Sequence, residues 1–277
     1  MKNHFSTGCR FLALAAGAFL LTSASRAATV TLTDNGATAA INLDGAAGGN
    51  PTGMYEWTVT GLGGNANQLH QQWFWYSIDG GPAHPIETIS AATIQSQTQN
   101  YLAATYSNCA VSVTIAYSLT GGGFGQADIA EGITLHNGCG TNMMFHFYQY
   151  SDFNLLNSAP GDTVSMDKGF VIQYKGDTQI QETIVQPLAS HFEANTTDAL
   201  NNTLNKLNGG TTPLLNDNTD IGPGDATWAY QWDFAALTDA TIQKDKLLDV
   251  TLVPEPSVLA LLSVGATALM LRRRARA

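Results

Sequence analysis

Apolar and polar residues alternate with a period of two through most of the chain between residues 28 and 252. Ala110-Val111-Ser112-Val113-Thr114-Ile115-Ala116-Tyr117-Ser118-Leu119 is the plainest stretch. Val111, Val113, Ile115, Tyr117 and Leu119 share one face of an extended segment, and small or polar residues occupy the other. Gly121-Gly122-Gly123 then turns the chain. Residues 129–135 and 143–150 read as two further strands, and Asn137-Gly138 between them has the form of a hairpin turn. Strand patterns recur at 30–33, 39–43, 57–60, 73–78, 86–92, 101–106, 170–174, 180–187, 227–234 and 241–252, the last with a break expected near Asp245. Gly, Asn, Asp and Pro separate them, and no long helical stretches alternate with them. The expected fold is all-β, an antiparallel sandwich with jelly-roll or Greek-key connections. One short helix is expected after Ser190-His191-Phe192-Glu193, which has the form of a capping box, with Phe192, Leu200, Leu204 and Leu207 along one side and Gly209 ending it.

The two ends follow another pattern. The first carries Lys2 and Arg10, an apolar stretch over 11–21 and a small-residue zone ending near Ala27. That order reads as a signal peptide over 1–27, with an extracytoplasmic domain over 28–252. The apolar stretch is too short to cross a bilayer, which takes roughly 20 apolar residues. At the other end, Val253-Pro254-Glu255-Pro256-Ser257 opens an uncharged, mostly apolar run over 257–271. Arg272-Arg273-Arg274 and Arg276 follow. As a helix this run reaches roughly 22 Å, short of a hydrocarbon core of roughly 30 Å. Flanking arginines snorkel to cover part of the gap and stay on the cytoplasmic side. The expectation is a single C-terminal transmembrane helix with the domain outside.

Charge narrows the partners. The net charge is −10, and all the acidic residues lie beyond Ala28, all but Glu255 within the domain. Its bases are Lys168, Lys175, Lys206, Lys244 and Lys246, with no arginine between Arg26 and Arg272. Such a surface repels a polyanion, so nucleic acid is excluded as a partner. Cys109 and Cys139 are the cysteines beyond the signal. An even pair in an exported chain reads as one disulfide, worth about 3–4 kcal/mol on the chain-entropy model, with two buried free thiols as the alternative.

The C-terminal segment over 253–277 resembles a PEP-CTERM sorting domain. The resemblance rests on Pro254-Glu255-Pro256, the undersized apolar run and the arginine cluster in combination. It implies secretion by the translocon and signal peptidase, brief residence in the inner membrane, and cleavage by an exosortase. It also implies delivery to the surface or extracellular matrix of a Gram-negative cell that makes exopolysaccharide. The middle of the chain is similar, through Gln71-Gln72-Trp73-Phe74-Trp75-Tyr76, Phe145–Phe153, Ser190-His191-Phe192-Glu193 and Trp228–Phe234, to segments in a subset of PEP-CTERM proteins. That likeness transfers no active site.

Candidate chemistry is sparse. Trp73 and Trp75 share a strand face and are candidate sugar-stacking residues, against the plainer reading of a strand covered on both sides. Trp228, Tyr230, Trp232 and Phe234 form a second stripe that reads as core. His70, His84, His136, His146 and His191 show no close metal-ligand spacing and read as hydrogen-bonded structural residues. Asn216-Asp217-Asn218-Thr219-Asp220-Ile221-Gly222 has part of a calcium-loop spacing, but its Gly comes one place late and Thr227 stands where a bidentate Glu belongs. It reads as a polar turn. Nucleophile-elbow, phosphate-loop and dinucleotide fingerprints are missing. The expected function is therefore a non-catalytic surface or matrix protein that needs no cofactor or metal and binds extracellular polysaccharide. The alternative is a secreted polysaccharide hydrolase or lyase.

Overall fold

The computed structural model describes residues 29–250. The expected signal peptide, the Pro254-Glu255-Pro256 motif, the transmembrane helix and the arginine cluster lie outside the described residues. Among the described residues no helix is long and apolar enough to cross a membrane.

The period-two patterns fold as strands. In chain order they are β1 (Thr29–Asp34), β2 (Ala37–Asn42), β3 (Gly53–Val59), β4 (Leu69–Ile78), β5 (His84–Pro85), β6 (Thr93–Gln97), β7 (Tyr101–Ser107), β8 (Val111–Gly121), β9 (Gln126–Asn137) and β10 (Phe145–Phe153). Then come β11 (Asp162–Met166), β12 (Phe170–Lys175), β13 (Thr178–Gln186), β14 (His191–Thr196), helix α1 (Thr203–Leu207), β15 (Asp220–Gly224), β16 (Ala226–Phe234) and β17 (Asp239–Val250). They form two antiparallel sheets. One has the order β1-β2-β3-β4-β10-β16-β14 with β5 on β4, and the other β15-β11-β12-β13-β17-β9-β8-β7-β6. The protein is an all-β sandwich with one short helix. Long meanders, β1 to β4 and β6 to β9, are joined by crossings from sheet to sheet.

The core lies between the sheets, and register decides which residues enter it. On the eight-stranded sheet, Phe74 stands opposite Gln149, and Gln149 opposite Tyr230. That face carries Phe145, Phe147, Phe153, Trp228, Tyr230 and Trp232, each 2% exposed or less. The rings pack on one another: Phe74 stacks on Phe147 at 5.4 Å, and Phe153 on Trp228 at 6.1 Å. Burying each contributes about 1.5–3 kcal/mol. Gly53 lets β3 approach β4. A Cβ there would stand 2.4 Å from the Gln72 carbonyl oxygen, and its φ of +96° is one that L side chains rarely adopt.

Several expectations are corrected. Asn137-Gly138 is not a hairpin turn: β9 and β10 lie in different sheets, and the segment is a crossing. The Asn137 amide is drawn inward, donating to the carbonyls of Thr141 and Leu237. The capping-box segment is strand β14, and the helix starts later with Asn202 as its N-cap. Pairing with β16 outweighs the cap, because it buries Phe192 and Ala194. Residues 86–92 hold a short 3-10 turn, Ile86–Thr88, in place of a strand. Strand β17 runs unbroken past Asp245, with Lys244 and Lys246 on its inner face. Cys109 and Cys139 are free, exposed thiols rather than a disulfide. The pairing of Val111 with Asn137 and the bond from the Gly138 N–H to the Ala110 carbonyl set the register of these neighbouring loops without a sulfur bridge.

Candidate active site

The outer face of the eight-stranded sheet carries the residues that alternate with the core: Trp73 and Trp75 on β4, His146, Tyr148, Tyr150 and Asp152 on β10, Gln231 and Asp233 on β16, and His191 and Glu193 on β14. Direct cross-strand partners share a face. His146 pairs with Asp233, and Gln231 pairs with both Tyr148 and His191. This register alone brings two histidines and a carboxylate onto one patch.

The loop before β15 supplies the fourth member. Its Asp217 backbone N–H donates to the Phe192 carbonyl, and the Phe192 N–H donates back to Asp217 Oδ1 at 3.2 Å. Asp217 is thereby clamped beside His191. His146 Nδ1 donates to Asp233 Oδ1 at 2.6 Å, and His191 Nδ1 donates to Asp217 Oδ2 at 3.0 Å. His191 Nε2 lies 3.7 Å from Asp233 Oδ2 and joins the two dyads. The Gln231 amide donates to Asp233 Oδ1 at 2.8 Å, and the Asp233 N–H donates to Ser190 Oγ. Asp233 is therefore fixed from several sides, and it orients the ring of His146.

The patch is open to solvent on one side. Side-chain exposure is 15% for His146, 30% for Asp233, 31% for His191 and 43% for Asp217. Tyr148 lies beneath, its ring 6.4 Å from that of His146 and its hydroxyl donating to the Pro213 carbonyl. Burial and the Asp233 charge push the Tyr148 hydroxyl well above its usual range, so it stays a neutral donor. Asp217 is held below the ordinary carboxylate range. Its slight burial acts upward and is outweighed by the hydrogen bonds from His191 and the Phe192 N–H and by the nearby charges of His191 and Lys168.

The arrangement suits proton transfer. With Nδ1–H given to Asp233, His146 Nε2 keeps a lone pair that can take a proton. His191 has a carboxylate oxygen 3.0 Å from Nδ1 and another 3.7 Å from Nε2. Two imidazoles, each with a carboxylate to orient it, thus stand side by side on one open patch, the groups that acid–base chemistry uses.

Farther along the same face Asp152 is buried, and its carboxyl is raised to about 7 by burial and by the charge of Asp225. Glu193 is held by Lys206, Thr203 and Asn195 as a structural anchor for α1. On the opposite side of the molecule, the outer face of the nine-stranded sheet has an open groove of about 420 Å³ lined by Tyr101, Ser118, Gln243 and Asp245 among others. Beside it, the Asp128 carboxyl is raised to about 7 by burial and by Asp245.

The candidate sugar-stacking pair is corrected. Trp73 and Trp75 are buried, their indole N–H groups donating to Glu87 and Asn208. The 3-10 turn and the segment after α1 cover this strand, so neither ring offers a face to a sugar. Trp228, Tyr230 and Trp232 are core, as their alternation implied. His136 pairs with Asp239 on the nine-stranded sheet, away from the patch. The residues of the calcium-like turn separate: Asp217 serves His191, while Asp220 bonds Thr219. Among the described residues no group of three or more His, Cys, Asp or Glu side chains is placed to hold a metal ion. Sequence reasoning missed the His–Asp patch, because its members come from four separate segments. Period two was the one available signal, since it sets His146 opposite to the face of Phe145 and Phe147.

No family model and no curated protein sequence matches the chain. Solved structures do resemble it. A bacterial glucoamylase complexed with acarbose matches with a TM-score of 0.49 and 10% identity, over 85% of this chain and 32% of that one. This chain thus spans about a third of that enzyme. A putative aldose 1-epimerase from Escherichia coli K12 matches at 0.49 and 8% identity, over 80% of this chain and 98% of that one. A galactose mutarotase related enzyme from Lactobacillus acidophilus matches at 0.44 and 7% identity, over 81% and 98%. The expectation of a non-catalytic domain is corrected on this finding: the structures that resemble the chain are described as enzymes acting on sugars.

Proposed function

We propose that this chain is an exported polysaccharide hydrolase that cleaves a neutral glycan with His146 and His191 as its proton-transfer pair. The observation that carries the reading is the joined set of dyads, His146 with Asp233 and His191 with Asp217, open to solvent on the outer face of the eight-stranded sheet. His146 Nε2 takes the proton of the attacking water while His191 gives one to the leaving oxygen. Asp233 and Asp217 orient the two rings. A lyase acts on a uronate polyanion, and the chain's net charge of −10 disfavours such a substrate.

The PEP-CTERM-like tail supports the setting. In this reading the signal peptide and translocon export the domain, the tail lodges briefly in the inner membrane, and an exosortase releases it to the cell surface or matrix. The substrate is then the extracellular polysaccharide of the same Gram-negative cell.

The test is to incubate the purified protein with neutral exopolysaccharide from the producing cells, and in parallel with a uronic-acid polysaccharide, and to measure new reducing ends. Reducing ends from the neutral polymer, lost in His146→Ala, are expected. Equal release by His146→Ala, or no release at all, would overturn the reading. Fractionation of cells with and without the exosortase tests the sorting separately: retention of the domain in the membrane fraction is expected only in cells lacking it.

A further inference from the structure

We infer that the interior of the sandwich closes its own covalent cross-link, an amide between Lys244 Nζ and the side-chain carbonyl carbon of Gln149. This site lies between the sheets and is independent of the proposed hydrolase patch. Strand β17 turns Lys244 and Lys246 inward, β9 turns in Glu131, and β13 turns in Glu182. All four side chains are 1% exposed or less. Gln149 enters from the facing sheet and is fully buried. Two lysines and two glutamates in the middle of an aromatic core cost several kcal/mol of desolvation per ion. A network kept only for stability would be fully hydrogen-bonded, yet Glu182 Oε1 has no hydrogen-bond partner, Lys244 Nζ lying 3.8 Å away.

The geometry is that of an amide-forming site. Lys244 Nζ contacts both Gln149 Oε1 and Glu131 Oε2. It sits over the Phe74 ring, 5.0 Å from the centroid, which excludes water from one side. The Gln149 carboxamide is held at its nitrogen, Nε2 lying 3.0 Å from Glu182 Oε2 and 3.1 Å from Ser151 Oγ. Glu182 Oε1 also lies 3.8 Å from Lys244 Nζ. The nucleophile, the carbonyl and two carboxyl groups thus meet in a dry space between Tyr117, opposite Glu131, and Tyr230, opposite Gln149. Burial pushes Lys244 down to about 8, partly offset by Glu182, and the same burial raises the Glu182 carboxyl. Both changes favour the neutral amine and the neutral acid.

The step balances without a co-reactant. Glu131 takes a proton from the Lys244 ammonium. The free amine pair attacks the Gln149 carbonyl carbon to form the new C–N bond. Glu182 protonates the departing Nε2 as the old C–N bond breaks, and the nitrogen of the resulting amide returns its surplus proton to Glu182. One ammonia leaves and carries off the proton held by Glu131. Nothing is oxidised or reduced. The product exchanges a buried cation for a neutral amide and leaves Lys246 to pair with Glu131 and Glu182. It also joins β17 of one sheet to β10 of the other.

Peptide mapping of the full protein, purified from the producing cell and denatured, decides the matter. The expected result is a branched peptide that joins the segments containing Gln149 and Lys244, with a mass lower by one ammonia than the two separate peptides together. Recovery of both peptides unlinked from folded protein would overturn the inference, and so would a branch between Lys246 and Glu131 with loss of water. Glu182→Gln should yield the unlinked peptides while its circular dichroism spectrum stays that of a β-sandwich. If Glu182→Gln fails to fold, the wild-type map alone still decides.

Discussion

His146 and Asp233 are direct partners across β10 and β16, with His146 Nδ1 2.6 Å from Asp233 Oδ1. The carboxylate fixes which ring nitrogen carries hydrogen and which is free to accept one. Asp233→Asn leaves the strands paired, since the backbone ladder does not involve the side chain, but it removes the charge that orients the ring. We expect hydrolysis of the neutral polymer to fall by about 10²- to 10⁴-fold in both His146→Ala and Asp233→Asn, the range for loss of a positioned acid or base. In the double variant the loss should match the larger single loss, because the two residues act as one unit. Initial rates of reducing-end release measure this, and additive losses would contradict it.

Asp217 acts through His191 rather than on substrate. Its carboxylate is largely in water, so Asp217→Asn should leave thermal stability close to that of the wild type. The expected effect is a fall in kcat of about tenfold, equivalent to ~1.4 kcal/mol, with KM little changed. A loss confined to KM would place Asp217 in binding instead.

Stability should fall as pH rises from about 4 to 8. The carboxyls of Asp152 and Asp128 are raised from 3.8 to about 7, and that of Asp162 to about 6, in each case chiefly by burial. A raised acid binds its proton more tightly when folded. Its stabilisation is therefore complete below the unfolded value and lost as pH passes the folded value. Asp152 is buried, and its shift corresponds to on the order of 4 kcal/mol at most. Asp152→Asn should flatten the curve and raise Tm at pH 8 relative to the wild type. Melting curves between pH 4 and 8 check the sign; a wild-type Tm that climbs over this window would refute it.

The thiols give a cleaner test of the fold. Cys109 and Cys139 are exposed and unbonded, so both should react with a maleimide in the native protein. Neither closes a loop, and Cys109→Ser should leave Tm within about 1 °C, a ΔΔG inside the roughly 0.5 kcal/mol seen for surface changes. A several-degree loss of Tm would restore the disulfide.

Much of the sandwich was legible because strand periodicity is local. The alternation of β8 and of Trp228–Phe234 named the buried faces directly, and both stripes are core except for the half-buried Phe234. What failed depended on contacts distant in sequence. Ser190 and Glu193 carry a helix cap, but pairing with β16 outweighs it. Asn137-Gly138 suits a tight turn, yet β10 finds its partners in β4 and β16. A break was expected near Asp245, whose neighbours Lys244 and Lys246 are intelligible as buried residues only once Glu131 and Glu182 are seen opposite. The His–Asp patch was illegible for the same reason. Its register joins β10, β14 and β16 with a loop, and none of these neighbours in sequence.

The two strand tryptophans should behave as structure, not as a binding platform. Trp73 is fully buried, meets Tyr106 edge-on at 6.2 Å, and donates its indole hydrogen to Glu87 Oε2 at 2.6 Å. Trp73→Ala removes that packing and leaves the Glu87 carboxyl buried without its donor, so a loss of about 3–5 kcal/mol is expected from the cavity alone. Trp73→Phe keeps most of the volume but forfeits the hydrogen bond, and should cost about 1–3 kcal/mol. Chemical denaturation measures both. Polysaccharide affinity of the folded Trp73→Phe protein should equal that of the wild type, because the ring never meets solvent. If Trp73→Phe were as stable as the wild type yet lost affinity for the polymer, the covered strand would have to open in solution.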